Sequence, residues 1–187
     1  DYAPTDVSDV KPGGDNYFPN GGLKGFRDED HLTWASGEAA ESYADNRVEI
    51  FRRDVVFLKN VSDKSVLITY DRVNVTNSSH NKTFLLHMIN EPAIDGSEIT
   101  ITNSPAKMYV DVYTSGYSMT KIGGDGYEYW SAGQNWPLDG DPNTGEAGDW
   151  RVEIEPDELN NYDNLLMAMD ILGESDSKID KTYKSSS

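Results

Sequence analysis

The sequence holds 187 residues, 36% of them apolar, enough for one sizeable core, and it sets 33 acidic residues against 16 basic ones for a formal net charge of −17. A field of that sign repels nucleic acid and anionic membrane surfaces, so neither is expected as a partner. An anionic polysaccharide is accommodated only where local basic residues or bound cations offset the charge. The lack of cysteine excludes a disulfide framework and thiol chemistry, and no apolar run approaches membrane-spanning length.

Residues 1–30 are rich in Gly, Pro and Asp and read as loop. They open on "DYAPTDVSDV", which has neither the basic nor the apolar region of a signal peptide, and a start without Met suggests a piece of something longer. Residues 31–173 read as one β-sandwich domain. A short helix is expected around Glu38 to Tyr43, leading into "RVEIFRRDVVFLKN", where Val48 and Ile50 alternate before the apolar run from Val55 to Leu58. "SVLITYDRVNV" alternates Val66, Ile68 and Tyr70. "FLLHMINEP" puts Phe84, Leu86 and Met88 on one face and Leu85, His87 and Ile89 on the other.

"SEITITN" alternates Ile99 and Ile101, and "AKMYVDVYT" alternates Met108, Val110 and Val112 with Tyr109, Asp111 and Tyr113. "DWRVEIEP" sets Trp150, Val152 and Ile154 against Arg151, Glu153 and Glu155. "NLLMAMDIL" fits a strand through Leu165, Met167, Met169 and Ile171, and equally a helix through Leu165, Leu166, Met169 and Leu172. Residues 174–187 form a polar tail expected to be frayed. Turn-type clusters such as "KNVSDKS" and "EPAIDGS" separate the runs. The pattern predicts an all-β chain: an antiparallel sandwich of two packed sheets with long loops and minor helix.

Several residues are candidates for chemistry. His87, flanked by Leu85 and Ile89 on its face of a strand expected to be central, is either a buried imidazole bonded to a neighbouring strand, a metal ligand or a substrate contact. His31 and His80 read as surface residues. "DGDPNTGE" offers Asp139, Asp141 and Asn143 at alternate positions, as a calcium loop begins. It lacks the glycine at position six, so a solvated acidic turn is the alternative. Tyr127, Tyr129, Trp130 and Trp136 crowd into ten residues and suit stacking on sugar rings or, equally, closure of a sandwich edge. Arg47, Arg52, Arg53 and Arg72 suit sugar carboxylates or internal ion pairs.

In order along the chain stand Gly37-Glu38 with Ala40 and Tyr43, Arg52-Arg53, Phe57-Leu58-Lys59, Asp71-Arg72-Val73 and Leu85-Leu86-His87. Further on come the Gly-rich "KIGGDGYEYWSAGQNWP" and the Trp-Arg strand "GDWRVEIEP", with "PNGGLKGF" upstream at 19–26. Together these pieces resemble the C-terminal β-sheet region of the heparinase II/III-like polysaccharide lyases, over residues 19–172. The resemblance implies a secreted or periplasmic bacterial parent with an α/α toroid catalytic domain. It implies β-elimination on an anionic, uronic-acid polysaccharide of the alginate or heparin type. The family's catalytic groups lie mostly on the toroid, so no catalytic residue is carried onto this chain. His87 matches a position that ligates a structural divalent metal in some members, zinc or calcium being the expectation here. Two other readings stay open: a stand-alone carbohydrate-binding module, and a structural domain of an exported protein.

Overall fold

A computed structural model describes residues 22–43, 47–61, 63–136 and 148–179. Period-two alternation resolves into thirteen strands among them. They are β1 (Gly22–Asp28), β2 (Leu32–Glu38), β3 (Val48–Val61), β4 (Lys64–Val75), β5 (Phe84–Met88), β6 (Ala93–Asp95) and β7 (Glu98–Asn103). They continue with β8 (Ala106–Val112), β9 (Tyr117–Gly123), β10 (Trp130–Ser131), β11 (Gln134–Asn135), β12 (Trp150–Pro156) and β13 (Tyr162–Gly173). A large sheet runs β1-β2-β3-β4-β13-β8-β7-β6, a smaller one runs β5-β12-β9, and β10-β11 form a ribbon. The pairings are antiparallel, and the large and small sheets pack face to face as the expected sandwich.

The core lies between β7, β8 and β13 on one side and β5, β12 and β9 on the other. Ile99, Val110, Val152, Ile154 and Met167 are each fully buried there. The run "NLLMAMDIL" settles as strand. β13 is flanked on both sides, pairing Leu165 with Asp71 of β4 and Met169 with Val110 of β8, so both of its backbone edges are satisfied only in extended form. Leu165, Met167 and Met169 face the small sheet, while the buried Asp170 faces the other way.

Three local expectations change. The helix expected around Glu38 to Tyr43 is a single 3-10 turn, Ala40–Ser42. β2 runs on to Glu38, whose carboxylate accepts the Ala40 N–H at 3.0 Å and the Phe51 N–H at 2.8 Å and ties the corner to β3. Part of the Gly-rich segment read as loop is the edge strand β1, paired with β2. Gly25 permits that pairing, because a Cβ there would meet the Trp34 ring at 2.4 Å. The tail is fixed as far as residue 179. Ile179 donates its N–H to Asp170 at 3.0 Å, and Lys178 bridges Glu98 and Asp111 at 2.5 Å each. Burial opposes the Lys178 charge, yet its hydrogen bonds to Asp111 and Glu98 outweigh that and push its pKa up. No helix among the described residues is long and apolar enough to cross a membrane.

Truncating the middle of this core should be costly. Met167→Ala, at a fully buried position, is expected to lose about 2–5 kcal/mol, read as a lower urea midpoint, whereas Leu23→Ala on exposed β1 should change stability by less than about 0.5 kcal/mol.

Candidate functional site

His87 lies on β5, which is an edge of the small sheet rather than its centre, and it pairs with Arg151 of β12. Phe84, Leu86 and Met88 take the core side, so the face of Leu85 and His87 turns outward, and both residues are exposed. The expected burial of His87 is therefore overturned: apolar neighbours two positions away do not reveal which side of a strand the second sheet covers. Partial desolvation lowers the His87 pKa, the Arg151 guanidinium lowers it further, and Glu153 partly opposes them. Arg151 is itself buried and bound to Glu153 at 2.6 Å.

A cation at His87 would sit beside a guanidinium, and no group of three or more His, Asp or Glu side chains among the described residues could hold one. Asp139, Asp141 and Asn143 lie outside the described residues. His31 is exposed, 3.7 Å from Glu29, while His80 is half-buried in the turn closed by its N–H to the Asn77 carbonyl.

The aromatic cluster forms a hairpin beyond β9. Trp130 and Ser131 of β10 pair with Asn135 and Gln134 of β11, and Tyr127 leans on Trp130 with ring centroids 4.7 Å apart. Tyr129 and Trp130 are half-buried, whereas Tyr127 and Trp136 are 50% and 56% exposed. The hairpin is braced from inside. Glu128 accepts from the Gly126 N–H and the Asn135 amide, each at 3.1 Å, and Asn135 accepts the Tyr129 N–H at 2.8 Å. Its root is pinned at Gly124, whose φ of +79° favours glycine and where a Cβ would meet the Trp150 ring at 2.9 Å.

The arginines separate by strand parity. On the outer face of the large sheet, Arg72 binds Asp54 and Arg52 donates to Ser36 at 2.9 Å. On the inner face, Arg53 grips Asp71 through two bonds of 2.5 and 3.0 Å and lies 4.9 Å from the Phe84 ring centroid. That inner pair borders a cavity of about 420 Å³ reached by both sheets. Across it stands a second ion pair, Lys82–Asp163 at 2.8 Å, with side chains only 9% and 13% exposed. Tyr117 donates its hydroxyl to the Asn164 carbonyl at 2.8 Å. Burial pushes its pKa up to about 12, and the Asp163 and Asp71 charges act in the same direction.

No protein-family model matches the sequence, and no curated protein matches it. Among solved structures, 18 chains match. One, described as heparinase III with methylated lysines, aligns over 88% of this chain with a TM-score of 0.51 and 16% identity. This chain spans 24% of that protein's length. At such identity the likeness is one of fold, and it relates this sandwich to a heparinase.

Sequence reasoning did not find the cavity. Arg53 meets Asp71 through the register of β3 with β4, Lys82 meets Asp163 of β13 only through the tertiary fold, and Lys82 sits in a polar turn with nothing to mark it. The parity of Arg52 and Arg53 was the one available signal, since adjacent strand residues take opposite faces.

Two measurements follow from this geometry. The His87 imidazole should titrate below its usual value of about 6.5 in an NMR pH series. The unfolded chain then binds the proton more readily, so the linked stability is complete above about pH 6.5 and falls as pH drops through the folded-state pKa. His87→Gln should remove that slope; a midpoint at or above 6.5 would contradict the assignment. For the ion pair, Lys82→Met strands a buried carboxylate and should cost about 3–5 kcal/mol, while Lys82→Met with Asp163→Leu should recover most of it.

Proposed function

We propose that this chain is the β-sandwich portion of a secreted bacterial polysaccharide lyase acting on uronic-acid polysaccharides by β-elimination, and that by itself it supports substrate binding or the catalytic toroid rather than cleaving the polymer. The observation that carries this reading is the alignment of 88% of the chain with about a quarter of a protein described as heparinase III. The ordered motifs from Gly37 to Trp150 support it independently.

β-Elimination needs a base for the proton alpha to the carboxyl group, a cation to neutralise that carboxylate, and an acid for the leaving oxygen. His87 has the neutral imidazole of a base, but the guanidinium facing it is buried against Glu153 and serves that carboxylate instead. A lone imidazole without a carboxylate clamp does not make the alpha proton acidic enough. The missing groups belong to the toroid on this reading.

The binding contribution falls to the hairpin. Tyr127 and Trp136 expose broad rings on a braced support, which suits stacking against the apolar faces of sugar rings. The same feature favours a second reading, a stand-alone carbohydrate-binding module. With a net charge of −17, approach of an anionic polymer is opposed, so added salt should strengthen binding by screening, the reverse of a basic polysaccharide binder.

Affinity electrophoresis of the purified chain through alginate and heparin gels, at rising salt, tests this. Retention should grow with salt, and Tyr127→Ala with Trp136→Ala should weaken it about tenfold or more. Ultraviolet absorbance from unsaturated uronate ends should stay flat; growth would overturn the non-catalytic assignment. Retention on neutral glycans alone would favour the free-standing module, and no retention on any glycan would end that module and the substrate-binding role, leaving support of the toroid.

A further inference from the structure

The large sheet outruns its cover at the end where Arg53, Asp71 and Asp163 lie, and the space there is walled rather than collapsed. We infer that this inter-sheet cavity is a binding site for an uncharged small molecule with an apolar, ring-sized body and a hydroxyl- or carbonyl-bearing end. The volume of about 420 Å³ falls within the ~300–1,000 Å³ typical of small-molecule sites. The cavity is open to solvent on one side, so a ligand of this size can enter it from water.

The walls define the ligand. Phe51, Val73, Phe84 and Leu165 supply an apolar chamber, with Tyr43 set against Phe51 at 5.8 Å between ring centroids. The polar groups are fixed and balanced. Two cations, Arg53 and Lys82, are each matched by a carboxylate, Asp71 and Asp163, so the cavity offers no surplus charge to an ion. The surrounding chain, at −17, further disfavours an anion.

What remains unused is donor capacity. Arg53 bonds Asp71 through Nε and Nη2, which leaves Nη1 for a ligand acceptor. Lys82 bonds the Asn160 carbonyl and pairs with Asp163, and an ammonium has three protons. Buried ion pairs are poor stabilisers compared with apolar residues of the same volume. Lys82–Asp163 is such a pair, and Arg53, 42% exposed at its side chain, holds the buried Asp71 through two bonds; both fit recognition groups with locked geometry.

This site is separate from the aromatic hairpin and does not rest on the lyase reading. The hairpin is rooted at Gly124, against Trp150 at the start of β12, and the cavity touches Ile154 and Pro156 at its end. Trp150 and Pro156 lie roughly 20 Å apart along an extended strand.

The test is an NMR titration of the isotope-labelled full chain with phenyl β-D-glucopyranoside. Saturable shifts are expected at Phe51, Phe84, Tyr117 and Asp163, persisting in Tyr127→Ala with Trp136→Ala. Phenyl β-D-glucuronide, the same body bearing a carboxylate, should bind about tenfold more weakly. Val73→Trp, which fills the chamber, should abolish the cavity shifts while the remaining spectrum stays folded; if it does not fold, the comparison of the two probes on the unaltered chain decides. Shifts confined to the hairpin, no saturable shift at the cavity, or equal or tighter binding of the glucuronide would overturn the proposal.

Discussion

Among the described residues the large sheet is eight strands wide and the sheet that faces it is three, so at about 4.8 Å per strand their widths differ by roughly 24 Å. Most of what distinguishes this molecule follows from that mismatch. Where the sheets do overlap, at β7, β8, β13 and β12, the side chains interdigitate into a dry core. Beyond the overlap no residue of β3 is fully buried, along fourteen positions. Apolar side chains alone cannot close such a margin. The inner face therefore changes character within one strand: β4 carries Leu67 against the core and then Asp71, held by Arg53, at the cavity.

Charge follows the same geography. The chain has about twice as many acidic as basic residues, and many of its buried and half-buried cations find a carboxylate close by: Arg53 with Asp71, Arg72 with Asp54, Arg151 with Glu153, Lys82 with Asp163, and Lys178 between Glu98 and Asp111. Cations that are matched in this way do not attract a polyanion. Any affinity for an acidic polysaccharide must come from surfaces that ignore charge, which points to aromatic stacking and not to an arginine cradle.

The strands were legible because most have one face against a core and one toward water, and period two is then written in the side chains. β12 shows this plainly, with Val152 and Ile154 inside and Glu155 turned away to accept the Thr83 hydroxyl. β13 was ambiguous because it is central: Ala168 and Asp170 on its outer face are buried as well, and burial on both faces erases alternation. His87 was misplaced for a related reason. Alternation assigns residues to faces but does not say which face the other sheet covers, and β5 turns its Leu85 side outward at the sheet edge. The cavity was beyond reach, since its ion pairs join positions that only the tertiary fold brings together, such as loop residue Lys82 with Asp163 of β13.

β12 connects the two candidate surfaces. It is the middle strand of the small sheet, paired residue by residue with β5 on one side and β9 on the other. Trp150 at its first position packs on Gly123 and Gly124 and so sets the hairpin, while Ile154 and Pro156 at the other end form part of the cavity wall. A strand held on both edges from Trp150 to Ile154, and by β9 as far as Pro156, is rigid, so the two surfaces keep a fixed separation and direction. At the hairpin end His87 stands opposite Arg151 and next to Gly148. Its depressed pKa keeps it neutral near pH 7, so that side of the sheet gains positive charge only under acid conditions. Acidification would then add a cation beside the buried Arg151, within a protein whose surface is otherwise acidic.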